Sequence, residues 1–166
     1  MKCIILAAGY ATRLYPLTEN FPKPLLEVGG KPILDWLIED IDSCGLVDEF
    51  VVISNSKFAG QFRDWAATRP QTVSVVDDGT DTNETRLGAV RDIHFAMEEL
   101  KLDDDALVIA GDNVLDFSLA PFIGFGRGNG CSCVMCYEEN KLARQQRTAI
   151  ITVDAENTIT SYEEKP

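Results

Sequence analysis

Short apolar runs alternate with amphipathic segments through most of this chain. The apolar runs are continuous and only a few residues long, as strands buried on both faces of a sheet tend to be. They occupy residues 2–7, 50–53, 73–76 and 106–110. Between them, apolar residues recur at helical spacing in residues 33–44, 58–68 and 88–100. This alternation predicts an α/β fold, a three-layer αβα Rossmann-like arrangement around a mixed, mostly parallel sheet.

All three predicted helices carry an apolar face, and the middle one is expected to turn Phe58, Phe62, Trp65 and Ala66 inward. The first is expected to bury Leu34, Leu37, Ile38 and Ile41, and the last Val90, Ile93, Met97 and Leu100. His94, Trp36 and Trp65 are interpreted as packing residues. Polar and glycine-containing stretches at residues 9–24 and 77–84 are predicted loops.

Three strands are predicted in the C-terminal part of the chain. Residues 131–137, 149–153 and 158–162 have strand-like composition, with a turn over 154–157. No repeat or linker interrupts the chain, so residues 1–166 are expected to form one domain. The sequence ends in Glu-Glu-Lys-Pro without a closing helix. We therefore expect the domain to be incomplete at its C-terminal end, and the 166 residues alone to be nearly inactive and prone to self-association.

Composition and charge exclude several classes of protein. With 45% hydrophobic and 25% charged residues, the chain has the balance of a globular protein. Its net charge of −12 argues against nucleic acid as a partner. It has neither a run of 18 apolar residues nor a signal-peptide pattern, so we expect no membrane partner and a cytoplasmic location. Residues 1–31 are different, because they hold four basic and two acidic residues, which suits a local anion site.

The five cysteines are expected to be reduced thiols. Cys131, Cys133 and Cys136 are close in sequence and invite a metal interpretation. On a strand, however, alternate side chains share a face, so Cys136 would point away from the other two. We therefore expect packing residues and no metal at this cluster.

The strongest chemical signal is the motif L-A-A-G-Y-A-T-R-L at residues 6–14, followed by P-K-P-L-L at residues 22–26. Small residues let a backbone approach a ligand closely, and free N–H groups there can bind phosphate oxygens. Arg13 can hold a phosphate through two parallel hydrogen bonds, and Lys23 can add a point charge. The pattern is neither a Walker loop nor the three-glycine dinucleotide motif, which argues against a nicotinamide-dependent oxidoreductase.

A second signal is the carboxylate of Asp112, in G-D-N directly after the apolar run at residues 106–110. The carboxyl ends of parallel strands are where α/β folds place ligands. Carboxylate oxygens suit Mg²⁺, which often shares them with substrate phosphates. Asp116 lies close enough in sequence to support this site.

These motifs closely resemble those of the nucleotidyltransferase superfamily that makes nucleotide sugars, such as glucose-1-phosphate thymidylyltransferases. Its opening reads L-A-A-G-x-G-T-R-L, with P-K-P-L about ten residues later. The resemblance extends over the whole chain, but Ala11 stands where the family usually has Gly. It implies Mg²⁺ on Asp112, catalytic roles for Arg13 and Lys23, and a nucleotide contacted by Leu6, Ala7, Ala8, Gly9, Thr12, Arg13, Asp78, Leu87 and Gly88.

The final E-K-P resembles the motif with which the same family binds its acceptor. The resemblance implies that Glu164 binds sugar hydroxyls and that Lys165 binds the sugar phosphate. Two other family features differ. Upstream of E-K-P, Arg147-Thr148-Ala149 replaces a Y-G-V pattern, and in the region of the base pocket Arg86-Leu87-Gly88-Ala89 replaces G-T-A or G-L-A. The base and the acceptor therefore stay open, and the acceptor is a sugar phosphate or another phosphorylated small molecule.

The function implied is transfer of a nucleoside monophosphate from a nucleoside triphosphate to a phosphorylated acceptor, with release of pyrophosphate. The partners are then the triphosphate and the acceptor, and a homo-oligomer is allowed. The alternative is a module that binds nucleotide or sugar phosphate without turnover. Ala11 and Ala149 favour that alternative, and an assay of pyrophosphate release separates the two.

Overall fold

The computed structural model describes all 166 residues, whose contacts divide into two compact units, Met1–Gly130 and Cys131–Pro166. Whether the two units belong to one domain, as expected from the sequence, stays a prediction. The first unit contains, in chain order, β1 (Lys2–Leu6), β2 (Glu27–Val28), β3 (Lys31–Pro32), α1 (Ile33–Asp42), β4 (Glu49–Ser54), α2 (Ala59–Ala66), β5 (Val73–Asp77), α3 (Ala89–Glu99), β6 (Ala106–Ala110) and α4 (Ala120–Asn129). The second contains α5 (Leu142–Gln145), β7 (Ala149–Val153) and β8 (Ile159–Glu164).

The centre of the first unit is a parallel sheet of four strands in the order β5-β4-β1-β6. Side chains alternate across it, as the period of a strand requires. Cys3 and Ile5 of β1 join the larger core, which α1, α2 and α4 cover, whereas Ile4 joins a smaller core beneath α3. Helices therefore cover both faces, which confirms the predicted three-layer α/β fold.

The inward face of α1 is as predicted, because Leu34, Leu37, Ile38 and Ile41 are all buried. Pro32 precedes the helix, where its fixed φ costs nothing and its missing N–H is not needed. No helix of the chain combines the length and apolar composition needed to cross a bilayer.

The inward face predicted for α3 is only partly correct, because Ile93 and Leu100 are partly buried but the other two residues are not. Val90 is 80% exposed and Met97 is also exposed, whereas Asp92 and Ala96 are buried. His94, expected to pack at a boundary, has a side chain 72% exposed that pairs with Glu98 one turn later. Trp36 is likewise partly exposed, and the Lys31 ammonium lies over its ring. Helical periodicity shows that an apolar stripe exists, but the packing of the neighbouring layer decides which stripe is covered.

The second unit contains an antiparallel pair, β7 with β8, at nearly the predicted positions. The strand predicted at residues 131–137 is wrong, because those residues have no regular secondary structure. Its composition suits a strand, but a strand also needs a hydrogen-bonded neighbour, and none pairs with this segment. Alternation along a strand therefore does not separate Cys136 from Cys131 and Cys133, and the expectation of no metal at this cluster stays a prediction.

Candidate active site

The parallel sheet brings the predicted functional segments to one edge. The loops that follow β1, β4, β5 and β6 all leave from the carboxyl ends of their strands. The chain adds β4 and β5 on one side of β1 and then returns to place β6 on the other. The crevice between the ends of β1 and β6 is thus a topological switch point, where open α/β sheets bind ligands. Residues 6–14 and Asp112 flank it.

The loop after β1 presents unpaired backbone donors. Ala7 still donates to the Ile53 carbonyl, but the N–H groups of residues 8–11 have no acceptor in the chain. Ala11 adopts a left-handed conformation with φ of 47° and ψ of 40°. Its carbonyl accepts hydrogen bonds from Leu14 N and from the buried hydroxyl of Thr18, which hold the loop in this shape. Successive free amides around a left-handed residue make an anion-binding concavity.

The left-handed Ala11 yields a prediction on stability. A Cβ in this region costs about 1–2 kcal/mol, partly offset because glycine loses more entropy on folding. Ala11→Gly should therefore stabilise the protein by about 0.5–1 kcal/mol, raising its Tm by roughly 1–4 °C. Ala67→Gly is the matched control. Ala67 is exposed and has a helical φ of −61°, so its replacement by glycine should destabilise the protein. A lower Tm for Ala11→Gly in differential scanning calorimetry would contradict the strain argument.

The structure joins two predicted residues that lie far apart in sequence. Lys23 Nζ is 2.8 Å from Asp112 Oδ2. Lys23 begins a short 3₁₀ turn, and Asp112 follows β6. Gly111 allows the approach, because its N–H donates to the Leu6 carbonyl and a Cβ there would lie 2.9 Å from Ile5 Cγ2. A cation and a carboxylate are therefore held together at the switch point.

The donor set around Asp112 fits a Mg²⁺ ion that arrives with a phosphate ligand. Asp112 is 45% exposed, and no group of three or more acidic, histidine or cysteine side chains is arranged to hold a metal. Mg²⁺ commonly takes one or two carboxylates and completes its octahedron with waters and substrate phosphates. A single accessible carboxylate beside an anion-binding loop has this chemistry.

Thr12 and Arg13 lie in the 3₁₀ turn after Ala11, and both are exposed. The Arg13 guanidinium makes no hydrogen bond or ion pair within the chain, so all its donors are free for a ligand. Leu6, Ala7 and Ala8 instead form the floor of the loop, where the two alanines are buried and Gly9 is exposed. Of the two alanines, only Ala8 has an N–H without an acceptor in the chain.

A cluster of buried side chains with polar groups lies next to the loop. It consists of Tyr10, Asp78, Thr80 and Asp92. Asp78 is 7% exposed, and its Oδ1 accepts hydrogen bonds from the Thr80 N–H and hydroxyl. Asp78 Oδ2, Asp92 Oδ1 and the Tyr10 hydroxyl have no partner. Burial, together with the Asp78 carboxylate, raises the pKa of Asp92 to about 6, and burial also raises the pKa of Tyr10. The Asp78 side chain thus supports the turn after β5.

This raised pKa predicts how stability depends on pH. In the folded protein Asp92 keeps its proton up to about pH 6, whereas in the unfolded chain it loses it near 3.8. The folded state therefore binds more protons between these values, so wild-type stability falls as pH rises through this window. Asp92→Asn removes the penalty and should stabilise the protein at pH 8 by about 1–2 kcal/mol, after allowance for solvent screening.

The check is the difference in Tm between variant and wild type. It should be small near pH 4 and grow to its full value above pH 7. Asp64→Asn, on the exposed side of α2, is the control for removal of one negative charge. A Tm difference for Asp92→Asn that is independent of pH would show that Asp92 ionises normally.

Leu87 and Gly88 precede α3 at the same edge of the sheet. Gly88 caps the helix with φ of 88° and is exposed, while Leu87 is half-buried. The positive φ explains the glycine, since other residues rarely adopt it. The roles of Leu87, Gly88 and Asp78 toward a nucleotide stay predictions.

The predicted acceptor residues lie in the second unit, at the end of β8. The Tyr162 hydroxyl donates to Glu164 Oε2 at 2.6 Å, and Lys165 Nζ is 3.5 Å from Glu164 Oε1. The Tyr162 hydroxyl, and then the Lys165 charge, lower the pKa of Glu164. Glu164 therefore favours its anionic form, and the roles of Glu164 and Lys165 toward an acceptor stay predictions.

Sequence reasoning missed Asn55 and Asp92. Asn55 is fully buried directly after β4, and its amide donates to the Ala8 carbonyl in the loop after β1. The argument that singled out Asp112, a polar residue at the end of an apolar strand, would also have found Asn55. Nothing in the sequence marks Asp92, because it lies outside the apolar stripe predicted for its helix.

Comparison with known proteins identifies the family of this chain. The family model described as nucleotidyl transferase matches residues 2–166, so the chain belongs to that family. It is 30% identical over 166 residues to the bifunctional protein GlmU of Methanocaldococcus jannaschii. It is 26% identical over 171 residues to a bifunctional sugar-1-phosphate nucleotidylyltransferase/acetyltransferase of Sulfurisphaera tokodaii. Both alignments cover 100% of this chain, which spans only 36% and 37% of those relatives.

Solved structures show the same fold. A UDP-glucose pyrophosphorylase complexed with UDP-glucose superimposes with a TM-score of 0.78 at 20% identity, over 99% of this chain and 69% of the other. The apo form of a UDP-glucose pyrophosphorylase gives 0.80 at 18% identity, over 100% and 70%. At this level of identity the likeness concerns the fold alone.

Proposed function

We propose that this chain carries the nucleotide-binding part of a nucleotidyltransferase that joins a nucleoside monophosphate to a sugar 1-phosphate or similar acceptor and releases pyrophosphate. The observation that carries the proposal is the meeting of three features at one switch point. These are the free amides of residues 8–11, the unpaired guanidinium of Arg13 and the Lys23–Asp112 pair. Together they suit a polyphosphate that arrives with a divalent cation.

The reaction is an in-line displacement at the α-phosphorus. An oxygen of the acceptor phosphate forms the new bond to phosphorus, the bond to the β-phosphate oxygen breaks, and pyrophosphate leaves with the electron pair. The nucleophile is already an anion, so no general base or covalent intermediate is needed. Catalysis then rests on positioning and on stabilisation of charge.

Each group of the proposed site has a distinct role. The loop amides bind phosphate oxygens, and Arg13 holds the departing pyrophosphate through its fork of donors. Lys23 neutralises the α-phosphate or the incoming phosphate, which requires it to leave Asp112. A Mg²⁺ ion held by Asp112 would neutralise part of the charge of the phosphates. Glu164 and Lys165 are the proposed acceptor-binding residues.

The test is a panel of nucleoside triphosphates and phosphorylated acceptors, with pyrophosphate release as the readout. We expect release that depends on both substrates for at least one combination. Binding of a triphosphate without pyrophosphate release from any combination would favour a regulatory binding module instead. The assay uses the protein as the cell makes it, because relatives are longer than these 166 residues.

A further inference from the structure

Asn55 connects the loop after β1 with the segment before α2, beyond the last backbone hydrogen bond between them, which runs from the Ala7 N–H to the Ile53 carbonyl. It follows β4, the neighbour of β1 in the sheet, and is fully buried. Its Nδ2 donates to the Ala8 carbonyl at 2.9 Å, and its Oδ1 accepts from the Phe58 N–H at 3.1 Å. The Phe58 contact requires the oxygen on that side and so fixes the amide orientation.

The bond to Ala8 has a geometric consequence for Gly9. The Ala8–Gly9 peptide is trans, so its carbonyl and its N–H point in opposite directions. Asn55 draws the carbonyl into the protein, which turns the Gly9 N–H outward. Gly9 is exposed and its N–H has no acceptor, in agreement with this orientation.

We propose that Asn55 is a positioning residue for nucleotide binding: by holding the Ala8 carbonyl it aims the Gly9 N–H at a phosphate of the bound triphosphate. The inference rests on the proposed function and adds a residue to it. Without the Asn55 donor, the peptide is free to rotate and the loop loses a fixed hydrogen-bond donor. The effect falls on phosphate binding, because Asn55 is too deeply buried to touch a ligand.

Asn55→Asp is the sharpest variant. Its carboxylate still accepts from Phe58 N, which preserves the start of α2, but it repels the Ala8 carbonyl. Asn55→Ala is the second variant, and Ser54→Ala is the matched control. Ser54 is equally buried, and its hydroxyl bonds only to the Asn55 carbonyl.

The experiment measures the affinity for inorganic pyrophosphate and for the best-binding triphosphate by isothermal titration calorimetry, with Tm as a check of folding. It also follows the Gly9 amide signal by NMR as pyrophosphate is added. Asn55→Asp should weaken both affinities about tenfold or more at pH 8 and abolish the Gly9 shift. Affinity for the corresponding nucleoside should not change, and Ser54→Ala should match wild type within about twofold. Below about pH 6 the carboxyl introduced by Asn55→Asp can be protonated and donate again, so the deficit relative to wild type should shrink.

Three outcomes decide the matter. Unchanged pyrophosphate affinity in folded Asn55→Asp would overturn the positioning role and leave the proposed function intact. An equal loss of affinity for nucleoside and triphosphate would reduce Asn55 to a structural residue. Failure of the wild type to bind any triphosphate or pyrophosphate would refute the proposed function, and this inference with it.

Discussion

Replacing Arg13 with alanine is expected to lower turnover by about 10²-fold or more while changing stability by less than about 1 kcal/mol. The guanidinium is exposed and unpaired, so the fold loses nothing when it is removed. The reaction, in contrast, loses a preorganised cation at the point where pyrophosphate leaves. Pyrophosphate release and a thermal denaturation curve for the same preparation measure the two effects.

Two further variants sharpen this result. Arg13→Lys keeps the charge but loses the parallel hydrogen bonds, so it should recover only part of the activity. Arg63→Ala removes an exposed arginine of α2 and should leave turnover unchanged. Near-normal activity of Arg13→Ala would refute the assignment of this residue to the polyphosphate.

Asp112→Asn is expected to reduce turnover by about 10²–10³-fold and to resist rescue by moderate excess Mg²⁺. Asparagine has the same shape but lacks the charge that binds a hard cation. It also releases Lys23 from its ion pair, so a gain from the freed lysine would oppose the loss. Because the proposed reaction needs this cation, thorough chelation with EDTA should abolish wild-type activity, and added Mg²⁺ should restore it.

Asp103→Asn provides the control, because Asp103 is an exposed carboxylate before β6. Direct binding of Mn²⁺, measured by electron paramagnetic resonance with the triphosphate present, reports on the site independently of turnover. Activity that survives chelation would exclude the metal-dependent mechanism. Mn²⁺ binding by Asp112→Asn equal to that of the wild type would place the ion elsewhere.

Local sequence determined most of the elements around the site. Apolar runs placed β1, β4, β5 and β6 within two residues of their ends, because strands buried on both faces leave little room for polar residues. Loop chemistry also located the free amides of residues 8–11. The short β2–β3 hairpin and α4 were not predicted. Three glycines in α4 hide its helical signal, and Asp40 Oδ2, from another helix, accepts the Leu119 N–H at its start.

Local patterns account for the α/β class, the order of the main strands and the helices α1 to α3, the family resemblance, and the residue types available for phosphate and metal chemistry. These depend on patterns and motifs a few residues long. Which of these groups meet depends on the three-dimensional packing of the chain. The Lys23–Asp112 pair joins residues 89 positions apart, Asn55 reaches Ala8 from the adjacent strand, and Asp92 is buried beside Asp78. Each depends on strand order and helix rotation, which packing of the whole sheet sets and no local pattern encodes.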